Sequence, residues 1–136
     1  MVVFDSGKAM NVVQGAVSRA LRDLAEATLT DAIDRCPVDT GTLRRSGTVT
    51  AGNPPNADLI FRSAQAGGNH NGDKAQTGGQ VFYVSFNTPY ARRQHEGVYD
   101  HPRGGEREYL KKAMESIAPK ASRYVATKVK EALGGI

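Results

Sequence analysis

Cys36-Pro37-Val38-Asp39-Thr40-Gly41-Thr42-Leu43-Arg44-Arg45-Ser46 is the stretch on which the fold turns. Pro37 has no amide hydrogen and forces the residue before it out of the α region. A helix arriving from the N-terminal side therefore stops there. Asp39 and Thr40 carry the short oxygen side chains that cap helices, which predicts one helical turn through Leu43. Thr40-Gly41 permits a tight reversal. Beyond Ser46, Gly47-Thr48-Val49-Thr50-Ala51 reads as a strand. Helix, reversal and strand in this order predict a helix docked back on a sheet.

Upstream of this stretch, residues 7–35 read as one amphipathic helix. Val13, Val17, Leu21, Leu24 and Thr28 recur at helical spacing, and Leu29 and Ile33 widen the stripe. Asp23, Glu26, Asp31 and Asp34 fall off it and are expected in water. A helix of this length needs a sheet or a partner to lie along. Downstream, Asn53-Pro54-Pro55-Asn56 is a turn, and residues 57–62 (Ala57 to Arg62) read as a second strand. Residues 80–87 read as a third, with Phe82, Val84 and Phe86 on one face and Val81, Tyr83 and Ser85 on the other, both largely covered. Thr88-Pro89-Tyr90-Ala91 leads into a short helical turn that Gly97 closes. A final helix over residues 106–133 carries Tyr109, Leu110, Ala113, Met114 and Ile117, then Tyr124, Val125, Val129 and Leu133, on one stripe. Pro119 is expected to kink or split it, and Gly134-Gly135 to end it. The order predicts an α+β fold, with a long N-terminal helix and a C-terminal helix on one face of a small, mainly antiparallel sheet. No internal repeat is visible, and residues 1–136 read as a single domain.

Residues 63–79, between the second and third strands, hold no large apolar side chain and five glycines. That composition does not bury enough surface to offset its own ordering. An extended loop ordered by neighbouring subunits, and dispensable for folding of the monomer, is the expectation.

Composition bounds the function classes. The hydrophobic fraction is 39%, Trp is absent and glycine reaches 15 of 136 residues, which implies a modest core and much loop. A single cysteine, Cys36, excludes an internal disulfide and points to a reducing compartment. No stretch approaches the ~20 apolar residues that cross a bilayer. Residues 1–10 have neither a basic n-region nor an apolar run, so no signal peptide is expected. Residues 1–40 carry a net charge of −2 and residues 41–136 a net of +6. The basic groups come as scattered doublets, Arg44-Arg45, Arg92-Arg93 and Lys111-Lys112, without interleaved aromatics. That favours a solvated face pairing with an acidic neighbour over sequence-specific nucleic-acid binding.

Catalytic motifs are absent: no Walker loop, dinucleotide fingerprint, Gly-x-Ser-x-Gly elbow or His-Glu-x-x-His occurs. His70, His95, His101 and Cys36 do not have metal-ligand spacing, so surface histidines are expected. Glu96 beside His95 with Tyr90 nearby has no accompanying nucleophile, and a structural role for Glu96 is favoured. No enzyme activity, cofactor or metal is expected. Tyr90, with a flat apolar body and a polar tip, suits an interface edge or a core position equally.

Two spans carry a resemblance. The stretch from Cys36 to Ser46 resembles a P-x-x-T-G-x-L-x-x-S signature that follows a long first helix. Thr88-Pro89-Tyr90-Ala91 with Glu96-Gly97 resembles a T-P-Y-A … E-G signature that follows a central strand. With a Y-L-x-x-A-M helix opening from Tyr109 to Met114, the chain resembles the neck or tail-completion proteins of tailed bacteriophages, also described as minor capsid or minor tail proteins. Arg92-Arg93-Gln94-His95 departs from the family, which more often has an apolar residue before the glutamate.

The resemblance implies a virion component at the head–tail interface, assembled in the host cytoplasm. It implies a homo-oligomeric ring of six copies that joins the portal-side connector or stopper to the tail terminator or tail tube, with DNA passing through. A tail terminator capping the tube is the alternative, and a basic nucleic-acid-binding accessory protein a further one; no membrane partner is implied. Pro37, Asp39, Thr40, Gly41, Leu43, Ser46, Pro89, Tyr90, Ala91, Glu96 and Gly97 become the motif and interface candidates. Arg44, Arg45, Lys74, Arg92 and Arg93 become candidates for contacts with the DNA channel or a partner.

Overall fold

The computed structural model describes residues 5–37, 41–73, 75–76, 79–88 and 108–135. Its elements in chain order are α1 (Ser6–Arg35), α2 (Thr42–Arg45), β1 (Gly47–Ala51), α3 (Ala57–Gln65), β2 (Phe82–Phe86) and α4 (Tyr109–Gly134). The fold is α+β, the two long helices packed together with a two-stranded antiparallel sheet.

The side chain of Asp5 caps α1 by accepting from the Lys8 amide at 3.0 Å. The helix ends where Cys36, extended at φ −65 and ψ 138, meets Pro37, as a residue before proline must. Its most buried residues are not the large ones of the expected stripe. They are Ala16, Ser18, Ala20, Ala25, Thr28, Leu29 and Ala32, while Val13, Val17, Leu21 and Leu24 stay half-exposed. Asp23, expected in water, is half-buried and accepts a hydrogen bond from the Tyr124 hydroxyl at 2.7 Å. This bond, and the cluster joining Cys36 to Tyr109, set α4 antiparallel to α1. Seven of the twelve buried apolar residues described are alanines. The elements therefore approach closely while the apolar area removed from water, and with it the stabilisation, stays small.

β1 pairs β2 antiparallel, Gly47 opposite Phe86, Val49 opposite Val84 and Ala51 opposite Phe82. Phe82, Val84 and Phe86 pack on Ala25, Leu29, Val49 and Ala75. The other face is not covered as expected, since Tyr83 is 37% exposed and Val81, just outside the strand, 53%. At Gly47 a Cβ would lie 2.9 Å from Leu29 Cδ1 and 3.0 Å from Phe86 Cε1, so a larger residue there must push these core side chains aside.

One expectation is overturned and another is narrowed. Residues 57–62 do not form a strand but open α3, so among the described residues the sheet has two strands and not three. Asn56 caps α3 by accepting from the Leu59 amide at 3.3 Å, and Asp58 pairs with Arg62 one turn on at 2.7 Å. These local helix-stabilising contacts outweigh the apolar run Leu59-Ile60-Phe61 that suggests a strand. Pro119, in turn, does not split the last helix, which runs unbroken through it. The carbonyl that its missing amide leaves free belongs to exposed Glu115, where water can satisfy it. The helical turn expected over residues 89–97 lies outside the described residues.

Candidate functional site

All the elements converge on the joint between α1 and β1. Gly41 has φ 86 and directly precedes α2, a left-handed conformation that costs glycine little. From this reversal Leu43 enters a cluster with Cys36 and Tyr109, against which Phe86 and Leu110 pack. The Phe86 and Tyr109 rings meet edge to face with centroids 5.0 Å apart, a favoured aromatic geometry. Pro37 is buried beside them. Ser46, fully buried, donates from Oγ to the Leu43 carbonyl at 2.7 Å and accepts from the Asn87 amide at 3.0 Å. The Asn87 side chain donates to the Ser46 carbonyl at 2.9 Å. The end of β2 is thus tied to the beginning of β1 by hydrogen bonds that satisfy buried polar groups.

Arg44 and Arg45 point inward along the fold. Arg44 donates from Nε and Nη2 to the Cys36 carbonyl at 3.0 and 2.7 Å, closing the C-terminus of α1. Arg45 donates to the Ala64 carbonyl at 2.8 Å through Nη2, closing the C-terminus of α3. Cations at helix C-termini complement the helix dipole and its unpaired carbonyls. This geometry accounts for both arginines without a contact outside the chain. Burial pushes the Cys36 thiol up to about 12, against the opposing pull of Arg44, so it is a protonated, inert packing group at neutral pH.

Described residues of the loop after α3 are bonded and packed within the chain itself. Asn71 Nδ2 donates to the carbonyls of Arg44 at 2.7 Å and Gly47 at 3.0 Å, and the His70 amide donates to the Arg45 carbonyl at 2.9 Å. Ala75 is 8% exposed in the main core cluster. Asn71 and Asn87 are the residues that sequence reading misses. The partners that tie them into the joint lie 24 or more residues away in sequence and leave no local signal.

Among the motif candidates the structure brings together Pro37, Gly41, Leu43 and Ser46 at the joint, with Arg44 and Arg45 beside them. Asp39, Thr40, Lys74, Pro89, Tyr90, Ala91, Arg92, Arg93, Glu96 and Gly97 lie outside the described residues. Two surface features remain. An open groove of about 400 Å³ between α1, β2 and α4 is lined by Leu21, Leu24, Val81, Val84, Met114 and Ile117. The solvent side of α4 carries Lys120, Arg123 and Lys130, all exposed. Among the described residues no cluster of three or more His, Cys, Asp or Glu could hold a metal, and no helix is long and apolar enough to cross a membrane. Comparison with protein-family models, curated proteins and solved structures finds no match.

Proposed function

We propose that this chain is a non-catalytic structural component of a tailed bacteriophage's head–tail connector, a neck or tail-completion ring around the DNA path. The observation that carries the reading is the joint. The stretch from Cys36 to Ser46, through which the chain resembles that family, is the point where α1, α2, β1, β2 and α4 are locked together. A chain built this way presents a fixed frame, suited to repeating the same contacts around a ring. The apolar groove adds support. Val81 and Met114 there are each 53% exposed, and apolar surface of that kind is commonly covered by a partner.

Disrupting the gene in the phage that carries it should give DNA-filled heads and free tails, and an antibody to the chain should label the head–tail junction. Normal infectious particles made without the chain overturn the reading, and so does a hydrolase or nuclease turnover that His95→Ala or Glu96→Gln abolishes. Cross-linking within the virion separates a neck ring from a tail terminator by the neighbours captured.

A further inference from the structure

The doublets that stand out in the sequence divert attention from a basic surface that only the folded helix assembles. Arg44 and Arg45 are bound to helix C-terminal carbonyls. Over residues 116–130 of α4, by contrast, there are four cations, Lys120, Arg123, Lys128 and Lys130, and no carboxylate. Lys120, Arg123 and Lys130 are exposed and make no ion pair among the described residues. Lys128 is half-buried on the side of α4 that faces α1 and pairs with Glu131 at 3.5 Å. The cleft between α1 and α4 is of mixed charge, Arg19, Arg22 and Lys128 facing Asp23 and Glu131, so the positive face is confined to Lys120, Arg123 and Lys130.

We propose that this outer face of α4 is a sequence-independent binding surface for the phosphate backbone of duplex DNA. Charge complementarity identifies the partner, and the rest of the face narrows the choice. Its other exposed residues here are Ser116, Ala118, Pro119, Ser122, Ala126 and Thr127. None is aromatic or a large apolar anchor of the kind that carries protein–protein affinity or stacks on unpaired bases. Hydroxyls and cations are the groups that contact phosphates without reading sequence.

A membrane surface is disfavoured, because the apolar edge of α4 is turned to α1. Ile117, Tyr124, Val125 and Val129 are half-buried, and Tyr124 is hydrogen-bonded to Asp23. An interfacial helix needs that edge free. Lys120 to Lys130 spans about 15 Å of helix, and duplex DNA carries a charge about every 1.7 Å of its axis. Each cation therefore has a phosphate within reach. The proposal draws on the connector reading only for the source of the DNA.

Binding of the full chain to a fluorescent duplex of unrelated sequence, titrated across salt concentrations, tests it. The wild type should bind at low salt with a log–log slope of about −3, close to 0.9 per phosphate neutralised. Lys120→Gln/Arg123→Gln/Lys130→Gln should flatten the slope to about −1 or less, and weaken binding about tenfold or more at about 50 mM salt. Arg62→Gln, an exposed cation on α3 at the opposite, joint end of the two long helices, should change neither. Circular dichroism is expected to be the same for all three proteins, since every altered position is exposed.

A wild-type chain that does not bind duplex at low salt overturns the proposal, as does a triple variant that keeps the wild-type slope. Equal or tighter binding to phosphatidylserine vesicles than to DNA overturns it in favour of a membrane. The connector reading is decided separately, by where the chain sits in the particle, so one can fail while the other stands.

Discussion

Gly41 and Arg45 form a coupled pair at the start of β1. The backbone at Gly41 is left-handed, and a Cβ there would stand 2.7 Å from Arg45 Nη1. The guanidinium can swing away, but doing so breaks its hydrogen bonds to the Ala64 carbonyl. Gly41→Val should therefore cost about 1–2 kcal/mol in backbone strain and further stability from the uncapped end of α3. Thermal unfolding should show a melting temperature lowered by several degrees. An unchanged value would mean that the reversal is ordinary backbone. Position 41 is legible from the sequence, because a Thr-Gly pair between a helix stop and a strand has few other uses. The roles of Arg44 and Arg45 are not legible there. An arginine bound to a carbonyl within the chain and one facing a ligand look the same until the chain folds.

The segment after α3 decides whether that loop belongs to the fold. Replacing residues 64–78 with a short Gly-Ser turn would remove Ala64, which is wholly buried, Ala75 from the main cluster, and Asn71, which bridges Arg44 and Gly47. Buried carbonyls left without donors cost about 1–3 kcal/mol each, so the replacement should unfold or severely destabilise the monomer. A cooperative melt at the wild-type temperature would show instead that the loop is a tolerated insertion. Sequence reading treats this segment as unable to order because it counts large apolar side chains, whereas alanine burial and asparagine-to-backbone bonds hold it. Residues 57–62 mislead in a related way. The apolar run Leu59-Ile60-Phe61 suggests alternation, but Asn56 as cap and the Asp58–Arg62 spacing are helix signals within residues 56–62. α1, β1, β2 and α4 are legible because each has a sustained period or a clear stop: Pro37 for α1, alternation for β2, Gly134-Gly135 for α4. The buried face of α1 is less so, since hydrophobicity favours its larger residues while close helix contact selects Ala16, Ala20 and Ala32.

Burial is distributed unevenly over the whole molecule, and its dynamics should follow. Along α1, buried residues run from Ala16 to Ala32, and the sheet and α4 both pack against that helix. Along α4 only Tyr109 and Ala113 are buried, both in its first turns. From Met114 to Gly134 the helix keeps half-buried contacts, one hydrogen bond from Tyr124 to Asp23, and a proline that removes a backbone bond. Local opening takes the smallest free energy where few apolar contacts are lost. Native-state hydrogen exchange of the dilute monomer should therefore divide α4. Amides of residues 16–32 and of β1 should exchange only through global unfolding, with strong denaturant dependence. Amides of residues 120–133 should exchange at least about tenfold faster, with a weak dependence that reflects the little surface exposed. Uniform protection along α1 and α4 would show that the two helices unfold as one unit. The same measurement with duplex DNA present joins this gradient to the basic face of α4. A ligand that binds the folded helix should suppress its local opening, so protection should rise over residues 120–133 and stay unchanged over residues 16–32.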